Sequence, residues 1–159
     1  PLAIRYPRGS APGGQQGNFG DIQPGKARMM QEGEAGGVAV LTLGAIGNDA
    51  SVAVGRLRDK GMRVAHYDMI WLAPLDTDAL EHICDRYKAI VTVEDASVHG
   101  GLGTAVTEWV AAHAPRVKVM KLGVPHDMWV AHASVERQKE TCGYDAAAIE
   151  AAVSQLMNN

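Results

Sequence analysis

Several short stretches of this 159-residue chain bring together side chains capable of chemistry. Glu94 and Asp95 are adjacent acids, and the glycine-rich "HGGLG" of residues 99–103 follows them. Paired carboxylates can bind a metal or work as acid and base, while a glycine-rich turn that opens a helix can hold an anion on its backbone N–H groups. His126 and His132 bracket "HDMWVAH", and His82 stands near Cys84 in "EHICD". Imidazole is the usual acid-base group near neutral pH, and a thiol becomes a nucleophile when a base activates it. At the amino end, Arg5 and Arg8 flank Tyr6-Pro7 in "AIRYPRG". A guanidinium is a planar fork that matches phosphate or carboxylate.

Each stretch also has a plainer reading. "HGGLG" has neither the GxGxxG spacing nor the Lys-Ser/Thr of a P-loop, so a tight strand-to-helix turn accounts for Gly100 and Gly101. A metal at Glu94 and Asp95 would need further oxygen or imidazole ligands, and only His99 is near. Capping a helix or bonding loop amides is the favoured role for the two acids. No base is placed beside Cys84, which reads as a core residue. The histidines form neither HxH nor HExxH, and no Ser or Cys elbow accompanies "HDMWVAH", so that segment reads as a packing or interface loop. In an extended chain Arg5 and Arg8 point to opposite faces and do not grip one anion together. For Arg8, an interdomain salt bridge and ligand binding both stay open. Trp109 falls at a helical core spacing, whereas Trp71 and Trp129 fall at a strand end and in a loop, where core and interface are both open.

The elements that must position these residues follow from periodicity. Leu2 to Tyr6 reads as a strand, and an orphan strand at a terminus without Met implies a piece of a longer polypeptide. Ser10 to Pro24 is rich in glycine and proline and lacks a hydrophobic period, which is linker composition. "KARMMQEG" and "GVAVLTLG" are strand-like runs joined by a turn-rich segment, and are expected to pair as an antiparallel hairpin with the first at the sheet edge. Ile46, Val52, Val54 and Leu57 recur at helical spacing from Ala45 to Lys60, with Asn48 or Asp49 as N-cap and Gly61 as the stop.

The alternation then repeats. "RVAHYDMIWL" is a strand; "DTDALEHICDRY" is a helix starting at Asp76 or Thr77; "KAIVTVED" is a strand whose run Ala89 to Val93 lacks polar alternation and should be central. "GTAVTEWVAAHA" is a helix, "RVKVMKLG" a strand, and helices follow from Ser134 to Cys142 and from Asp145 to Met157. Alternation of this kind predicts a three-layer α/β/α fold, with about five strands, mostly parallel, and one antiparallel edge strand.

Composition narrows the function classes. Lys plus Arg total 15 against 18 Asp plus Glu, a net charge of -3, so nothing drives binding to nucleic acid or to an anionic membrane. Cys84 and Cys142 are solitary, with no CxxC, which argues against a disulfide framework or zinc knuckle and fits a reducing, cytoplasmic setting. No run of the sequence has the length of apolar residues that a membrane helix requires.

Taken in order, "AIRYPRG", "PGKARM", "VAVLTLGAIG", "YDMIWLAPLD", "IVTVEDASVHGGLGTAV", "LGVPHDMWVAH" and "GYDAAAI" resemble successive landmarks of the 1-deoxy-D-xylulose 5-phosphate synthase family, over essentially the whole chain. The resemblance covers only the C-terminal part of such an enzyme. It implies a thiamine-diphosphate and Mg2+ enzyme, a homodimer, that condenses pyruvate with glyceraldehyde 3-phosphate and releases CO2 on the route to isoprenoids. Residues 1–9 would then be the tail of a pyrimidine-binding domain, 10–24 a linker and 25–159 a transketolase-type C-terminal domain. Of the residues present, only Arg8 of the YPRG motif carries over, as a ligand of the aldehyde substrate's phosphate. No catalytic, cofactor or metal residue is expected in this chain, which by itself is expected to be inactive and to act as scaffold and dimer contact. The family usually has Arg and Lys where Ile70 and Ala73 stand, and often Asp where this chain has His126. The competing expectations are another thiamine-diphosphate enzyme, such as a transketolase or a 2-oxoacid dehydrogenase β-subunit, and a non-catalytic dimerisation module.

Overall fold

A computed structural model describes residues 3–4 and 22–158. Arg5, Arg8, the greater part of the 10–24 linker and most of the Leu2 to Tyr6 strand lie outside the described residues. Ten elements follow in the order β1 (Arg28–Gln31), β2 (Val38–Leu43), α1 (Gly47–Asp59), β3 (Val64–Asp68), α2 (Thr77–Arg86), β4 (Ala89–Ser97), α3 (Leu102–His113), β5 (Lys118–Val124), α4 (Val135–Cys142) and α5 (Ala146–Asn158). The strands form one sheet in the order β1-β3-β2-β4-β5, parallel throughout except for β1, which runs antiparallel to β3. The expected five-stranded, mostly parallel fold with one antiparallel edge is what is observed.

Alternation along the inner strands builds two cores. Val38, Val40, Val64, Ala89, Val91 and Val93 face α1 and α5 on one side of the sheet. Ala39, Leu41, Ala65, Tyr67 and Ile90 face α2 and α3 on the other. β2 and β4 are buried on both faces, which explains their continuous apolar runs. The Ala89 to Val93 run is interior, held between β2 and β5. Among the described residues no helix is long and apolar enough to cross a membrane.

The hairpin expectation is corrected: β1 pairs with β3, not with β2. Both edges of β2 are taken, by β3 and β4, and its first residue already donates from Val38 N to Arg63 O at 3.0 Å. The connection from β1 therefore crosses the amino end of β3. The crossing is tight, since a Cβ on Gly33 would stand 2.7 Å from the Val64 carbonyl carbon and one on Gly37 2.0 Å from Arg63 O. Arginines from α1, from the residue before β3 and from α2 clamp the loop through its carbonyls: Arg58 donates to Glu32 O, Arg63 to Ala35 O at 3.3 Å and Arg86 to Gly33 O at 3.3 Å.

The start of α1 is also corrected. Neither Asn48 nor Asp49 caps it; the N-cap is Ile46, without a side-chain bond, and the chain enters through Gly47 N to Gly44 O at 3.0 Å and Asn48 N to Ala45 O at 3.1 Å. Asp49 lies in the first turn and instead pairs with Lys139 of α4 at 2.7 Å. The buried face of α1 is Ala50, Ala53, Val54 and Leu57, with Ile46 ahead of it, and Val52 points outward, 49% exposed. Gly61 ends the helix in the left-handed region, φ 77°, as its position suggests. Asp76 caps α2, accepting from Ala79 N at 3.1 Å, and also accepts from Ala27 N at 2.8 Å, which ties the approach to β1 onto α2.

Candidate functional site

In an open α/β sheet, ligands and partners meet the carboxyl ends of the strands, and here three loops gather the singled-out residues there. Strand β4 delivers Glu94 and Asp95 and continues into the turn before α3. Alternation makes Glu94 face α3, where it is 2% exposed. Its Oε2 accepts from Leu102 N at 2.9 Å and its Oε1 from Gly103 N at 2.8 Å. A carboxylate held against the positive end of a helix by two charge-assisted bonds is a strong local arrangement. It also explains the glycines, because a Cβ on Gly101 would lie 1.8 Å from Glu94 Oε2. The anion cradle suggested by "HGGLG" is thus filled by the protein's own carboxylate.

Asp95 is likewise committed. It accepts from the Tyr144 hydroxyl at 2.9 Å, and burial together with the Asp95 charge pushes that hydroxyl well above its ordinary pKa. The turn itself is stapled by His99 N to Ser97 Oγ at 3.2 Å and Gly100 N to Thr104 Oγ1 at 3.0 Å, with Lys121 Nζ and Thr104 Oγ1 both donating to Val98 O.

Two histidines that the sequence keeps far apart meet here: the His99 and His126 rings stand 4.7 Å apart, edge to face. His132 is exposed and Cys84 is 4% exposed in the core, where burial first of all raises its thiol pKa. Neither has a nucleophile-base partnership. Among the described residues no group of three or more His, Cys, Asp or Glu is placed to hold a metal.

The loop after β3 carries backbone strain. Ile70 adopts φ 57°, a conformation β-branched residues rarely take, and its N–H donates to Asp68 Oδ1 at 3.1 Å. Trp71 is half-buried with its indole Nε1 shut from solvent and without an acceptor, while Leu72 is exposed. On the β5–α4 loop Trp129 is 94% exposed and Met128 40%. Trp109 is half-buried against the α2–α3 core and stacks on His113. Glu94 and Asp95 are thus committed to bonds within the domain, and Leu72, Met128 and Trp129 are exposed at this edge.

Residues 25–149 match the family described as "Transketolase, C-terminal domain". The chain belongs to the transketolase C-terminal domain family. A solved structure described as "Split gene transketolase, inactive beta4 tetramer" superposes with a TM-score of 0.79 at 30% identity, covering 86% of this chain and 44% of that one. Transketolase from Campylobacter jejuni shares the fold at a TM-score of 0.58 and 15% identity, over 86% of this chain and 19% of that one. Among curated relatives, the 1-deoxy-D-xylulose-5-phosphate synthase of Porphyromonas gingivalis is 40% identical over 147 residues, and that of Parabacteroides distasonis is 37% identical over 150. These alignments cover 92% and 94% of this chain but only 23% of each relative, so the chain spans about a quarter of their length.

Proposed function

We propose that the chain is the transketolase C-terminal domain of a 1-deoxy-D-xylulose-5-phosphate synthase, contributing to condensation of pyruvate with glyceraldehyde 3-phosphate. The observation that carries this reading is identity of 37–40% to such synthases sustained over more than nine-tenths of the chain. The division into a tail at 1–9, a linker at 10–24 and a domain from 25 onward belongs to the same reading, as does a cytoplasmic site of action.

The family's cofactor, thiamine diphosphate with Mg2+, does not fit the described residues. The "HGGLG" helix start already holds Glu94, and Asp95 is bonded to Tyr144. We therefore assign cofactor chemistry to other parts of a longer protein and give this domain the roles of scaffold and contact. The contact face is the carboxyl edge, with "MIWLAPLD" and "VHGGLGTAV" meeting a second copy or a neighbouring domain. Ile70 and Ala73 stand where the family usually has Arg and Lys, so the contact made by this loop is apolar rather than ionic. Arg8 is the proposed ligand of the aldehyde phosphate.

The test exchanges the matching quarter of the Porphyromonas gingivalis synthase for these 159 residues. The chimera is expected to form 1-deoxy-D-xylulose 5-phosphate, and its Arg8→Ala variant to lose roughly tenfold to a hundredfold, mainly in KM for glyceraldehyde 3-phosphate, with Arg8→Lys restoring part. A folded, cofactor-loaded chimera that turned over transketolase substrates instead would replace the synthase reading. Equal losses for Arg8→Ala on phosphorylated and unphosphorylated glyceraldehyde would make that arginine structural.

A further inference from the structure

Two imidazoles meet at the carboxyl edge of the sheet because the strand register brings their loops together. Strands β4 and β5 run parallel, and their last paired residues are Ser97 and Val124. His99 stands two residues beyond Ser97, and His126 two beyond Val124. Equal offsets from a parallel pair start the two loops at one level, so side chains on them can touch. The backbones are drawn close here: a Cβ on Gly123 would stand 2.8 Å from Ala96 O, and Val98 N donates to Val124 O at 3.0 Å. Both histidines are exposed, yet their ring centres lie 4.7 Å apart.

Among the described residues neither imidazole donates or accepts a hydrogen bond. His99 is held by its backbone N–H on Ser97 Oγ at 3.2 Å, and each ring has the other as its ring contact. A neutral imidazole carries a lone pair on one nitrogen. A metal about 2.0–2.1 Å from that nitrogen lies about 3.2 Å from the ring centre, and two rings bound at about 90–110° have centres roughly 4.5–5.2 Å apart. The observed 4.7 Å falls inside that span. The 62° between the ring planes sets no obstacle, because rotation about each metal–nitrogen bond leaves the ring centres in place. Only side-chain torsions of two exposed rings need turn to aim both nitrogens inward. No third His, Cys, Asp or Glu among the described residues completes a cluster, which leaves the other coordination positions to water. Asp127 adjoins His126 and adds negative charge, while Lys121, its Nζ on Val98 O at 3.0 Å, is the charge set against a cation.

We propose that His99 and His126 form a two-imidazole chelate for a divalent transition metal ion of the Zn2+ class, with the other positions open to water. Imidazole suits Zn2+, Ni2+ and Cu2+, whereas Mg2+ and Ca2+ prefer oxygen. Glu94 is engaged by two amides and Asp95 by the Tyr144 hydroxyl, so the protein offers this ion nitrogen alone. The chelate holds its ion more tightly than a single surface histidine does, because the second ligand is already in place when the first one binds.

The experiment is calorimetric titration of the untagged 159-residue chain with ZnCl2, with the imidazole 1H–15N resonances followed in parallel. A single ion per chain is expected, with a Kd of roughly 10 µM, shifts of a ring nitrogen on both His99 and His126, tighter binding of Cu2+ and no response to Mg2+. His99→Ala and His126→Ala should each weaken Zn2+ binding by about tenfold or more, and His132→Ala, which removes an exposed histidine outside the pair, should leave it unchanged. Absence of a saturable response at the two rings, a shift confined to one of them, undiminished affinity in either variant of the pair, or an equal loss in His132→Ala would overturn the assignment.

Discussion

Protonation of His66 offers a quantitative test of the sheet's interior. The ring is held neutral by burial, with a folded pKa of about 4 against 6.5 for the free side chain. The unfolded chain therefore binds a proton more readily than the native one wherever the pH lies between those values. The stabilisation is complete above the unfolded pKa and is lost as the pH falls toward the folded one. At about 1.4 kcal/mol per unit, the whole shift corresponds to roughly 3 kcal/mol, and moving from neutral pH to about pH 5 should remove about 2 kcal/mol. The assay is urea unfolding at both pH values for the native chain and for His66→Gln, with the other five histidines, present in both, cancelling in the difference. The variant is expected to begin less stable at neutral pH but to lose about 2 kcal/mol less on acidification. Equal acid losses in the two chains, or a His66 ring resonance titrating near its free value, would refute the argument that this ring is sealed between β2 and α1.

Other perturbations test other parts of the framework. Glu94→Gln keeps the shape of the cap but turns an N–H donor toward one of the first amides of α3, and should cost about 2 kcal/mol in urea unfolding; Gly101→Ala, which drives a Cβ into the same carboxylate, should lower Tm at least as far. Asp76→Ala removes acceptors for both Ala79 N and Ala27 N and should cost about 2 kcal/mol. Burial works against the Asp76 charge, yet the two amides and Lys26 hold its pKa below the usual carboxylate range, so its contribution should persist through mild acid and vanish only as the pH falls through that lowered value. Cys84 and Cys142, both buried, should react with a thiol reagent only slowly in the native chain and promptly in denaturant, as followed by absorbance.

How much of this was legible depended on how local the signal was. Most strand and helix runs among the described residues, the Asp76 cap, the Gly61 stop and the buried Cys84 follow from neighbours within a turn or two, although the strand expected over "RVAHYDMIWL" ends at Asp68. Glu94 was readable as a capping carboxylate because a helix start lies a short loop downstream. The partner of β1 was not readable, since a turn-rich segment with glycines serves equally for a tight hairpin and for a step across one intervening strand. What decides between them is competition for the edges of β2, a long-range matter. The meeting of His99 with His126 and of Asp95 with Tyr144 depends on loops brought together by the sheet, and no spacing encodes it. His66 went unread because its environment, not its neighbours, sets its chemistry. The Ile46 cap escaped because a backbone turn replaced the side-chain bond that a sequence displays.

Because β3 slots between two strands that are neighbours in sequence, β1 has nowhere to dock until β2, α1 and β3 have closed as a unit. On this side of the sheet it is received after β3 and can leave before it. Its departure would bare the backbone edge of β3, a buried strand of the sort that recruits another chain. Four residues long, with Arg28 and Gln31 at its ends, β1 makes a poor template for anything beyond it. The arginine clamp on the crossing loop therefore holds in place the strand that covers this edge of the sheet.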